Sequence, residues 1–196
     1  MKGNNLMSSS YTESYKDLYH GTTEAYAEKI VSSQKFIPST KGWCGAGVYF
    51  YDVKAKAWWS ASRTCGELHK KGEFGANPTV VIADISSLKR EQILDLRSSD
   101  NLQDFATFVD DVLREFDFDI VEGLSESEVF DYKRAMLLSF YCLENNKQLV
   151  IGYFKQKDQT KLEDAKAFAD AWELVVGIET IYCVKDTSII YNIRRR

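Results

Sequence analysis

Strand-like and helix-like segments alternate irregularly along this chain. That pattern predicts an α+β protein with a split, mainly antiparallel sheet rather than a doubly wound parallel one. Short runs rich in β-branched and aromatic residues, such as 48–50 and 79–85, are bounded by turn-forming or polar residues. Other segments repeat their apolar residues at helical spacing, as in Leu102, Phe105, Ala106, Val109, Val112 and Leu113. With 196 residues, 44% hydrophobic and 28% charged, the chain has the size and composition of one globular domain with a sizeable core.

Residues 1–16 are polar, lack the apolar centre of a secretory signal and read as a flexible arm, with a single domain over 17–196. A short apolar run through Leu18 ends at His20-Gly21-Thr22 as the first strand. A helix with Ala25, Ile30 and Val31 as apolar positions follows, and a turn-rich passage then reaches Gly45-Ala46-Gly47 and the strand 48–50. Residues 60–78 hold Gly66, Gly72, Gly75 and Pro78 among charges and read as a loop. The run 79–85 is a buried strand, 93–96 a short strand, 100–114 an amphipathic helix, and 118–121 a short strand closing at Glu122-Gly123. Then come a helix over 131–143 carrying Ala135, Leu138, Ser139 and Cys142, a strand at 149–154 and a helix over 162–174. Strands at 180–186 and 189–193 around a tight turn end the chain. No apolar run is long enough to cross a membrane, so no membrane partner is expected.

A net charge of −4 argues against a generally basic nucleic-acid binder but leaves room for a local patch. Lys41, Lys54, Lys56, Arg63, Lys70 and Lys71 are its candidates, while Arg194-Arg195-Arg196 reads as a solvated tail. The four cysteines are widely spaced with no C-x-x-C pair, and there are two histidines, so no metal site is expected. A reduced, cytoplasmic setting is the simplest fit. Cys44, beside the glycine turn, reads as an inert filler.

Leu18, His20, Gly21 and Thr22 form the pattern [LW]-x-H-G-[ST], and about 27 residues later Gly45, Gly47, Val48, Tyr49 and Phe50 form G-x-G-[VI]-Y-F. This pair of motifs resembles the catalytic domain of poly(ADP-ribose) polymerase-like ADP-ribosyltransferases. Residues 52–59 are similar to that family's D-x-x-S-K-S-A-x-Y helix, keeping Lys56 and Ala57 and offering an aromatic at Trp58 or Trp59. The resemblance implies the ADP-ribosyltransferase fold, two small mainly antiparallel sheets around an NAD cleft with flanking helices. It also implies that His20 binds the adenosine ribose, Gly21 holds the nicotinamide amide through its backbone, and Tyr49 stacks on nicotinamide. Thr22 and Gly47 belong to the same cofactor-binding motifs, and Trp58 or Trp59 covers the ring.

The reaction breaks the bond between nicotinamide and ribose while positive charge develops on the sugar, so a carboxylate near the ribose assists it. Many family members place that Glu on a late strand in a pattern like E-Y-x-V-x-D-x-x-x-[VI]. Anchored on Asp186, the family's Glu position falls on Ile181, a departure shared with relatives that add single ADP-ribose units. Glu179 lies two residues earlier and shares a strand face with Ile181. Glu122 is a second candidate, and no glutamate at all is the third alternative.

The resulting expectation is a mono-ADP-ribosyltransferase that uses NAD as co-substrate, with His20, Tyr49 and Glu179 as catalytic residues and a protein, RNA or DNA acceptor. A compact transferase of this size would suit a bacterial toxin or phage-defence effector, with an antitoxin or regulatory partner. The alternatives are an inactive module of the same fold that binds NAD or a partner, and an unrelated α+β interaction protein.

Overall fold

A computed structural model describes residues 11–40, 42–115, 125–155 and 178–195. Residues 1–10, Lys41, the segment 118–121 with Glu122, and the expected helix 162–174 lie outside the described residues. The strands are β1 (Thr12–Thr23), β2 (Val48–Tyr51), β3 (Pro78–Lys89), β4 (Ile93–Asp95), β5 (Leu149–Lys155), β6 (Ile178–Val184) and β7 (Ile190–Arg195). Among the described residues they form one seven-stranded open sheet in the order β4-β5-β6-β2-β1-β3-β7. Every neighbouring pair is antiparallel except β4 and β5. The chain is therefore α+β, with one mixed sheet in place of the two expected small ones. The joint is thin, however: β1 and β2 register at Tyr19 opposite Tyr51 alone among the described residues.

Alternation along β2 and β6 sends side chains to two faces. Val48, Phe50, Tyr182 and Val184 join Leu18, Val81, Ile85 and Ile151 in one core. Helix α1 (Glu24–Ser33) covers that side through Ala27, with Ile30 and Val31 packed beside it. Ala25, expected inward, is exposed. Thr23 ends β1 and caps α1, its Oγ1 accepting from the Tyr26 N–H.

The opposite face is covered by two helices. In α2 (Lys54–Lys70), Ala57, Ala61 and Cys65 are buried at successive i, i+4 positions. This helix extends into residues expected as a loop, because that small-residue stripe outweighs the roughly 1 kcal/mol cost of Gly66 in a helix interior. Helix α4 (Glu126–Glu144) begins at a capping box of Ser125 and Glu128, earlier than expected, and packs Leu138, Tyr141 and Cys142 on Leu94, Val150 and Cys183. Helix α3 (Ser99–Glu115) turns Phe105 and Phe108 toward Tyr141, at ring distances of 5.4 and 5.1 Å. Its contact face is 105, 108 and 112, so Leu102 and Leu113, expected inward, are exposed. No described helix is long and apolar enough to cross a membrane.

Strand β1 begins at Thr12, so part of the expected arm is sheet: Thr12 and Glu13 pair with Lys89 and Leu88. Its register shifts between Glu13 and Leu18, near Asp17 at φ +54°. There the Asp17 N–H donates to buried Asp84 at 2.9 Å, and Asn192 Nδ2 donates to the same carboxylate at 2.8 Å. Arg194, expected as part of a solvated tail, bridges Asp84 and Asp17. Burial alone would raise the Asp84 pKa, but these donors outweigh it and hold the carboxyl below its ordinary value. A depressed folded-state pKa contributes stability above the unfolded value and loses it as pH falls through the folded value. Asp84→Asn should therefore cost about 2 kcal/mol at neutral pH in urea denaturation, and the gap to wild type should close in strong acid.

Candidate active site

The thin joint between β1 and β2 falls on the two sequence motifs. Continuing the Tyr19–Tyr51 register would set His20, Gly21 and Thr22 opposite Phe50, Tyr49 and Val48, but the strands separate there. Gly21 pairs on its other side with Val80 of β3, so its edge toward β2 has no strand partner among the described residues. The His20 side chain bridges the breach, with Nδ1 2.8 Å from the Tyr49 carbonyl oxygen. A carbonyl only accepts, so Nδ1 carries the proton and Nε2 is left as an acceptor. Burial lowers the His20 pKa, and the carbonyl hydrogen bond opposes that shift only in part.

The imidazole and the phenol are not side by side. His20 packs on Phe36 and Phe50 at ring distances of 5.1 and 5.7 Å, on the α1 side of the sheet. Tyr49 points to the α2 and α4 side, where its hydroxyl donates to the Gly45 carbonyl and accepts the Cys44 N–H at 3.1 Å. Burial, with Cys183 and Cys44 beside it, raises the Tyr49 pKa. Gly42 lies so close over the ring that a Cβ there would come within 2.3 Å of the hydroxyl. The phenol thus anchors the 42–45 turn, which Gly45 closes at φ +77°. Gly47 pairs with Ser39 and abuts Cys183. Cys44 is fully buried, and its hydrogen bond to Cys183, ahead of burial, raises its pKa, so it remains an inert thiol.

Glu179 sits near the start of β6 on the face it shares with Ile181, and the β5–β6 register runs through 178–184 without a shift. Only 4% exposed, it meets Lys56 Nζ of α2 at 3.2 Å. Tyr51, on the same side of β2, is also buried, and burial raises its pKa, with a hydrogen bond to Ser60 and the Arg63 charge opposing and the Glu179 carboxylate adding to the rise. Glu179, Lys56, Tyr51 and Ser60 thus form one polar cluster under α2. Ile181 is packed with Tyr51, Ala57 and Val80 and offers no polar group.

Two groups of candidates therefore stand apart. Glu179 is two residues beyond Ile181, which pairs with Tyr51, itself two beyond Tyr49. At the usual strand rise this separates the Glu179 and Tyr49 levels by about 13 Å. Thr22 is buried beside the breach, paired with Thr79.

The two tryptophans take different flanks of α2. Helical geometry puts Trp59 on the strip with Lys56, Ser60 and Arg63, and turns Trp58 about 100° further away. Both are half-exposed, and the Arg63 guanidinium lies 5.8 Å from the Trp59 ring. Neither indole meets the His20 or Tyr49 ring.

A cavity of about 650 Å³ lies between the 40–46 segment and α4, lined by Trp43, Tyr132, Arg134 and Met136 among others. Trp43 meets Phe154 edge-on at 5.2 Å, and Arg134 Nε donates to the Trp43 carbonyl at 3.1 Å. Tyr51 lies one residue past the strand expected at 48–50, and the period of two from Tyr49 is the sequence signal that marks it. Lys56 is expected as a motif residue and a member of a basic patch, whereas its pairing across 123 positions leaves no local trace in the sequence. No protein-family model, curated protein or solved structure matches this chain.

Proposed function

We propose that the protein is an NAD-dependent mono-ADP-ribosyltransferase in which Glu179 supports charge developing on a ribose. The observation that carries this reading is the opening of the β1–β2 pairing at His20-Gly21-Thr22, together with a buried carboxylate on the adjoining β6. His20 Nε2 can accept from a ribose hydroxyl, and the open edge of Gly21 offers backbone groups to an amide. Glu179, steadied by Lys56, then serves the ribose bonded to the nicotinamide bearing that amide, toward the start of β6. The cavity beside the 40–46 segment has the volume of a small-molecule site.

In the transfer, a lone pair of the acceptor forms a bond to the anomeric carbon of the nicotinamide ribose. The bond from that carbon to the nicotinamide nitrogen breaks, its electron pair stays with nicotinamide, and the acceptor proton passes to solvent. Ile181 leaves its strand position without the carboxylate that chain elongation uses in the resembled family, so single units are added. Labelled NAD with cell lysate should yield such single units, and a ladder of polymer would overturn the mono-transfer reading. NAD a hundredfold above its Kd should raise the melting temperature by roughly 5–10 °C, and His20→Ala should remove that rise.

A second reading, an inactive module of the same type, is favoured by the closure of the site: Glu179 is buried in an ion pair, and the Tyr49 hydroxyl is engaged by its own loop. Stabilisation by NAD without any transfer of label would establish that reading instead.

A further inference from the structure

Helix α2 carries four Lys and Arg residues against one Glu, in a chain whose net charge is −4. Its positive charge is local, and its placement follows from helical spacing. Lys56, Trp59, Arg63 and Lys70 recur at i, i+3, i+7 and i+14, which puts them on one strip about 21 Å long. Lys56 is held by Glu179 at the inner end, and Lys70 makes an exposed pair with Glu67. Arg63 meets no carboxylate among the described residues; its partner is the face of Trp59. Gly66, between Arg63 and Lys70, has nothing within 4 Å of where its Cβ would be, so the strip is flat there. A half-exposed indole under a guanidinium with no acidic partner among the described residues, followed along the helix by Lys70 with its exposed partner Glu67, has the make-up of a base-stacking platform beside a phosphate contact.

We propose that this strip of α2 binds single-stranded nucleic acid, a base stacking on Trp59 and phosphates lying along Arg63 and Lys70, and that such a strand is the acceptor presented to Glu179. This rests on the transferase reading, with a base or sugar nucleophile making the attack described above. The charge distribution selects the occupant: phosphates suit an arginine that meets no carboxylate among the described residues, on a helix with four Lys and Arg against one Glu in an otherwise acidic chain, and Trp59 needs an exposed base face, which a duplex hides. The comparable pair on α4, Arg134 over Phe130, lies among Glu128 and Asp131 and lacks that positive surround.

The test is fluorescence anisotropy of the full chain with short labelled oligonucleotides of mixed sequence, as single-stranded RNA, single-stranded DNA and duplex, at low and moderate salt. Single strands should bind more tightly than duplex, and whichever of RNA and DNA binds better identifies the source. Trp59→Ala should weaken binding about tenfold and Trp59→Phe should restore most of it, with both variants melting near wild type. Arg63→Ala should flatten the dependence of log affinity on log salt by about 0.7. Phe130→Ala should bind as wild type. Equal binding of duplex, or wild-type affinity in Trp59→Ala, would overturn the proposal. So would label from NAD that enters protein and never an oligonucleotide, an outcome that leaves the transferase reading standing. Loss of all NAD-dependent stabilisation and transfer, with oligonucleotide binding intact, would instead sink the transferase reading and the acceptor role with it.

Discussion

In Glu179→Gln, transfer of labelled ADP-ribose should fall by about two orders of magnitude or more, the scale for losing one electrostatic contact at a reacting centre. Glutamine keeps the size of the side chain and its hydrogen-bonding capacity but removes the negative charge that the proposed mechanism sets against the ribose. The lost interaction is made mostly in the transition state, so NAD should stabilise the variant nearly as much as wild type. Stability should change little, because Lys56 is about one-third exposed and water can take over its solvation. Glu122→Gln should remain near wild-type activity. A dead Glu122→Gln beside an active Glu179→Gln would move the chemistry to residue 122, and two active variants would leave neither glutamate in this role.

The parts of the fold that sequence periodicity reveals are those whose pattern is local. Residues 48–50 and the centre of β3 are readable because apolar runs bounded by turn residues have few other uses. The shared face of Glu179 and Ile181 followed from a period of two, and β6 keeps it. Features that depend on distant partners were not readable. The polar start of β1 looks like a tail until Lys89 and Leu88 pair with it. The later turns of α2 look like a loop because Gly66 and the charges hide the stripe of Ala57, Ala61 and Cys65. At the site, the motifs located His20 and Tyr49, but not that they leave their strands on opposite faces. That depends on where β1 parts from β2, which no single-strand pattern encodes.

Helix α2 lies directly on β1 where β1 parts from β2, and one substitution made at two glycines should measure that closeness by its opposite signs. A Cβ on Gly21 would lie 1.9 Å from the Ala57 carbonyl oxygen and 2.9 Å from both the Ala57 carbonyl carbon and the Ala61 nitrogen. These are backbone atoms of a helix whose Ala57 and Ala61 are fully buried, so no side chain can swing aside. Gly21→Ala must push α2 off the sheet, at a cost of about 3 kcal/mol, the upper part of the range for overpacking. The melting temperature should drop by roughly 6–12 °C. The added methyl also sits on Gly21 itself, whose backbone is proposed to hold the nicotinamide amide, so the NAD-dependent rise in melting temperature should shrink in the protein that remains folded. Gly66, in the same helix, has nothing within 4 Å of its Cβ position and no unusual backbone angle. Gly66→Ala only removes chain entropy from the unfolded state and should stabilise by about 1 kcal/mol. Urea denaturation of both variants reads the two signs together. If Gly21→Ala proved neutral, α2 could not lie on β1 as closely as Ala57 requires, and Lys56 could not be held there against Glu179.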